Sequence, residues 1–244
     1  DWSSDVCSSD LGNKSKPVLG DIDIAVPVNQ IEKLIGKGYD EDKKRFYEIL
    51  ESYIKSNRPP GIPEPSYKVV SGLDQIHLNV PIVDENNSPV KSTIESNKDG
   101  YVQIDLMIGD INFMTKALSS APDSKYKAAL RNILLMNIMS HSYEDTDNPN
   151  IKKRYQFNWK KGLQSADVIT NEKGKQEKQN IKTVYTDMDD VAKFLFGDNK
   201  TFNDINNLEK LIKLVKSNDF RYKNKRTEIL DDFKKELNRL KIQL

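Results

Sequence analysis

Two short runs in this chain put acids into strands that otherwise alternate with apolar residues, and no other feature limits its possible folds as tightly. The first is Gly20-Asp21-Ile22-Asp23-Ile24-Ala25-Val26 and the second is Val102-Gln103-Ile104-Asp105-Leu106-Met107-Ile108. Successive side chains of a strand leave opposite faces. Asp21 and Asp23 therefore share one face, while Ile22, Ile24 and Val26 enter the core from the other. Asp105 stands in the same relation to Ile104 and Leu106. Three carboxylates side by side on a rigid sheet repel one another and raise the pKa of at least one, unless cations neutralise them. Hard oxygen ligands suit Mg²⁺ or Mn²⁺, and two such ions about 4 Å apart can clamp the attacking and leaving oxygens of a phosphoryl displacement.

An Asp-apolar-Asp strand followed by a third Asp on a later strand resembles the nucleotidyltransferase superfamily typified by DNA polymerase beta. The likeness runs over residues 12–140. It implies an α/β (α+β) fold: a mixed or antiparallel sheet with flanking helices, followed by a mostly helical region over residues 141–244. It also implies that Asp21 and Asp23 bind the ion carrying a nucleoside triphosphate. Asp105 joins them at a second ion that activates an acceptor hydroxyl for in-line attack on the α-phosphorus. The acceptor is left open among a nucleic-acid 3′-hydroxyl, a nucleotide, a small molecule and a protein side chain.

In that family a Gly-Ser turn precedes the first acidic strand. Here the approach reads Gly12-Asn13-Lys14-Ser15-Lys16-Pro17-Val18-Leu19-Gly20, and residues 1–11 read as the translation of a short-read sequencing adapter. Setting those residues aside, we expect a Gly-Ser or Gly-Gly pair immediately upstream of Gly12 in the natural gene, and weak or no activity without it. Gly20 permits close approach of backbone to phosphate. Lys14 and Lys16 lie where a phosphate would arrive. Cys7 belongs to the adapter-like segment, and no other cysteine is present. That excludes disulfides, thiolate metal sites and a cysteine nucleophile, and a reducing cytoplasm is the compartment that fits.

Charged residues make up 31% of the chain with a net charge of +1, or +4 without Asp1, Asp5 and Asp10. This is too mild a balance to argue nucleic-acid binding by itself. No apolar run approaches the roughly 18–20 residues that span a membrane. Oligomeric state is not encoded in any visible pattern.

Periodicity predicts a helical turn over residues 30–35, a helix over 40–55, strands over 67–70 and 76–83, and a polar loop over 84–100. The 76–83 strand and the Asp105 strand, joined by that loop, read as a hairpin that lays His77 beside or close to Asp105. Residues 125–139 form the strongest helix, with Lys125, Lys127 and Arg131 on the side away from its apolar stripe. Tyr155-Gln156-Phe157-Asn158-Trp159 reads as a strand and residues 174–180 as a Lys- and Gln-rich loop. A helix capped by Thr186 or Asp187 ends at Gly197, and amphipathic helices over 207–215 and 227–240 close the chain.

Each candidate also has a plain reading. Lys125, Lys127 and Arg131 read as a solvated helix face, or as Lys127 and Arg131 holding triphosphate oxygens. His77 reads as a packed strand residue, and Asp110 as a loop or cap residue. Residues 207–244 carry eleven Lys/Arg against six Asp/Glu. They read as an exposed helix pair, or as a surface for a nucleic-acid backbone, with Phe220 and Tyr222 interleaved. The alternatives to a transferase are a non-catalytic binding protein of the same fold and a toxin–antitoxin protein adenylyltransferase.

Overall fold

The computed structural model describes residues 21–58, 61–62, 64–70, 74–92, 98–171 and 174–242, with Asp21 described by its backbone alone. Gly20, Lys14, Lys16 and the adapter-like segment lie outside the described residues. The class is α+β: eight helices and two four-stranded sheets among the described residues, one sheet mixed and one antiparallel. The chain divides into two compact units, the described residues up to Ile111 in one and those from Asn112 onward in the other.

In the first unit, strand β1 (Asp21–Pro27) runs into helix α1 (Val28–Ile35). Pro27, with φ −64°, is preset for a helix start, and Gly36 ends α1 at φ 74°, its N–H returning to the Glu32 carbonyl as a left-handed cap. Helix α2 (Lys43–Ser56) begins at Asp42, whose carboxylate accepts from the Arg45 N–H. Strands β2 (Ser66–Val70), β3 (Gln75–Pro81) and β4 (Tyr101–Gly109) complete a sheet of order β1-β4-β3-β2. β1 is parallel to β4, and the other pairs are antiparallel. Val26, Leu106, Ile108, Ile76, Leu78, Tyr67 and Val69 leave one face and pack with Ile31, Ile35, Tyr39 and Phe46. These are alternate residues of each strand, so the sheet's other face is left to Asp23, Gln103, Asp105, Gln75, His77, Asn79 and Lys68.

The second unit holds α3 (Ile111–Leu118), which periodicity did not reveal, and α4 (Ala128–Ser140). Asp110 immediately precedes α3, as a loop or cap residue would. Strands β5 (Tyr143–Asp145), β6 (Ile151–Asn158), β7 (Gly162–Thr170) and β8 (Gln176–Tyr185) form an antiparallel meander in chain order. The expected strand at Tyr155 is β6, whereas the expected loop over residues 174–180 is largely the start of β8. Nearly all of β8 is exposed, so its Lys- and Gln-rich sequence carries no apolar alternation to reveal it. The three helices expected after this sheet are present as α5 (Met188–Phe196), α7 (Leu208–Val215) and α8 (Arg226–Arg239), with a short α6 (Phe202–Ile205) that the sequence did not reveal. Their apolar faces join α3, α4, Tyr155, Phe157 and Leu163 in one core. Helices α3 and α4 pack in this core through Phe113, Ala117, Leu130, Leu134 and Ile138. No helix among the described residues is long and apolar enough to cross a membrane.

Candidate active site

The polar face of the first sheet concentrates its charge in one row. Asp23 of β1 pairs with Asp105 of β4, Asp105 with His77 of β3, and His77 with Lys68 of β2. One step along, Asp21 pairs with Gln103, so the backbone sets Asp21 on the same face as Asp23 and Asp105. Adjacent strands lie about 4.8 Å apart, which brings the two paired carboxylates to within a cation's reach.

Asp105 is 2% exposed. Burying a carboxylate is costly unless its oxygens are satisfied, and two amides do that here. Gln75 Nε2 donates to Asp105 Oδ2 at 3.2 Å, and Gln103 Nε2 donates to Oδ1 at 2.9 Å. Both glutamines sit two residues from a row member, Gln103 from Asp105 and Gln75 from His77, so the period-2 pattern that located the acids also locates them. The sequence reading missed them because a glutamine on a polar sheet face is unremarkable until its partner is buried. His77 Nδ1 stands 3.8 Å from Asp105 Oδ1, too far for a hydrogen bond. Its Nε2 is buried and makes no hydrogen bond among the described residues.

Each Asp105 oxygen accepts one hydrogen bond and has capacity for another partner. With Asp23 opposite, the set offers hard carboxylate oxygens of the kind Mg²⁺ takes, so the residues fit a divalent cation. Among the described residues no group of three or more His, Cys, Asp or Glu side chains is arranged to hold a metal.

The second unit accounts for the cations assigned to phosphate. Arg131 is not on a solvated face: it is 1% exposed. Its Nη1 donates to the carbonyls of Ser119 at 2.8 Å and Asn206 at 3.4 Å, and its Nη2 to those of Lys116 at 3.2 Å and Ala117, and to Asn132 Oδ1 at 3.2 Å. Lys116, Ala117 and Ser119 are the end of α3, where carbonyls lack helical partners. The guanidinium caps α3 and ties it to α4, which leaves no free fork for a phosphate. Burial lowers its pKa to about 10, so it remains charged at neutral pH. Lys127 is the residue before α4, in extended conformation, and its side chain makes no cap bond.

The aromatics of the C-terminal basic run are also structural. Phe220 is 1% exposed and stacks on Phe196 at 5.5 Å, and Tyr222 packs against the same core. On α8, Lys235 pairs with Asp232 and Arg239 with Glu236. These features answer to an exposed helix pair over a core.

Compared with family models, with curated proteins and with solved structures, the chain matches none.

Proposed function

We propose that this chain is a metal-dependent nucleotidyltransferase, moving a nucleoside monophosphate from a nucleoside triphosphate to a hydroxyl acceptor. The observation that carries the proposal is the register of β1 on β4, with Asp23 opposite Asp105 and Asp21 one step along on the same face. Asp21, Asp23 and Asp105 would hold the metal. Bound there, Mg²⁺ or Mn²⁺ would neutralise the carboxylates and stabilise charge on the phosphoryl oxygens in transfer. Gln75 and Gln103 fix the rotation of the Asp105 carboxylate, so its free lone pairs point one way before any ligand arrives. His77, beside Asp105, lies within reach of an acceptor or a phosphate oxygen bound at the row. The chain's part is to position the groups and balance their charge, the two largest contributions to phosphoryl transfer.

The test is to incubate the protein with each α-labelled nucleoside triphosphate and Mg²⁺ and to identify which molecule gains the label. Transfer should fall by at least 100-fold in Asp105→Asn, because a transition-state contact is lost. Mg²⁺ should raise the melting temperature of the parent protein and not of the variant. An equal Mg²⁺ shift in both, or label transfer undiminished in Asp105→Asn, would refute the assignment.

A further inference from the structure

The second sheet has a face that the transferase reading does not use. On β6, Tyr155 and Phe157 enter the core, so Lys152, Arg154 and Gln156 leave the opposite face. Strand pairing sets Tyr143 opposite Arg154 and Gln164 opposite Gln156, and Lys178 pairs with Val168, itself opposite Lys152. Arg154 lies 5.1 Å over the Tyr143 ring. Lys178 Nζ donates to Gln156 Oε1 at 3.0 Å, and Gln156 Nε2 to Gln164 Oε1 at 2.9 Å.

This face holds Lys152, Arg154 and Lys178 together, and of the three Lys152 has a carboxylate beside it. Lys152 has Asp145 at 3.7 Å, both side chains largely exposed. Among the described residues Arg154 and Lys178 make no ion pair with a carboxylate. Arg154 Nε is buried without a hydrogen-bond partner. Lys178 is held below its ordinary pKa, first by partial burial and then by the charge of Arg154. Crowded like charges are relieved by an anion. The cations lie a pleat apart along β6, about 6.6 Å, and recur across to β8, so the complementary anion is extended rather than compact. A half-exposed tyrosine ring and a file of amides among the charges suit bases, which offer a π-face and hydrogen-bonding edges. A lipid headgroup or a free phosphate offers neither.

We propose that this face binds single-stranded nucleic acid, with Lys152, Arg154 and Lys178 on the phosphates and Tyr143 stacked against a base. The site is independent of the carboxylate row and stands whether or not the chain transfers nucleotides.

Fluorescence anisotropy of the full chain with labelled 20-nucleotide single-stranded RNA and DNA, at 50 and 200 mM salt, tests it. Each phosphate contact contributes about −0.7 to the slope of log K against log salt. Replacing two contacts in Arg154→Gln/Lys178→Gln should therefore make binding about 7-fold less salt-sensitive over that range. Tyr143→Ala should weaken binding at least about 5-fold with the salt dependence unchanged. Lys213→Gln/Lys216→Gln at the end of α7 is the control and should leave both quantities as in the parent. Far-UV circular dichroism of each variant guards against misfolding. Binding of either oligonucleotide with these responses supports the site. The proposal is overturned if the sheet variant keeps the parent's salt sensitivity or the α7 variant loses as much. It is equally overturned if pyrophosphate displaces the oligonucleotide at equal charge, or if only anionic vesicles bind.

Discussion

Replacing Arg131 by Met removes the guanidinium while keeping a side chain of similar length, and the hydrogen bonds allow the cost to be worked out carbonyl by carbonyl. Ala117 O keeps a bond from Asn132 Nδ2 at 2.9 Å, Lys116 O keeps one from Ser119 Oγ at 3.1 Å, and Asn206 O keeps one from the Ala121 N–H at 3.2 Å. Among the described residues Ser119 O accepts only from Arg131. Ser119 is exposed, so water can take the place of the guanidinium at its carbonyl, and the cost lies in the bonds from the charged donor, which contribute about 1.5–3 kcal/mol each. Part of this is returned because no charge is then buried. The net loss should be about 3 kcal/mol, which for a chain of this size lowers the melting temperature by about 6–12 °C. Trp159 packs against the same core, so its fluorescence during urea unfolding reports the loss where it occurs. Arg131→Lys keeps the charge without the planar fork and should recover less than half. If Arg131 were a surface phosphate ligand, both variants would stay within about 0.5 kcal/mol of the parent, and nucleotide affinity alone would fall. An unchanged unfolding midpoint in Arg131→Met would refute the capping argument.

Two further outcomes follow from the second unit. Gly162 opens β7 at φ 105°, and a Cβ there would collide with the Tyr185 carbonyl oxygen. Gly162→Ala should therefore cost about 3 kcal/mol or more and expose β8 amides to hydrogen exchange; a variant as stable as the parent would show that the hairpin relaxes freely. Asp189 accepts from Lys116 Nζ at 2.8 Å and from the Phe202 N–H at 2.6 Å, and these bonds, the Lys116 one first, lower its pKa below the ordinary 3.8. A carboxylate depressed in the folded state contributes stability that is fully present above its unfolded pKa and is lost as pH falls through the folded value. The gap in melting temperature between the parent and Asp189→Asn should accordingly be widest near pH 7 and narrow as pH falls below the ordinary 3.8 and through the lowered folded value; a gap independent of pH would count against the ion pair.

Local pattern determined what lies on each face of an element. Alternation in Gly20–Val26 and Val102–Ile108 was enough to set Asp21, Asp23 and Asp105 apart from Ile24, Leu106 and Ile108, and the polar loop after β3 was enough to suggest that His77 neighbours Asp105, as it does. Asp187 marked a helix start because capping is settled within a few residues. Tertiary structure decided what each face meets. Arg131 looks like a surface cation in any helical projection, and only the arrival of the α3 carbonyl ends makes the interior its stable place. Phe220 and Tyr222 look like stacking residues beside a basic run until Phe196 and the core of the second unit claim them. β8 has no apolar alternation of its own and becomes a strand by hydrogen bonding to β7, a long-range pairing that local periodicity does not record. The amides of Gln75 and Gln103 matter for the same reason: a neutral side chain gains its role only when folding buries the charge beside it.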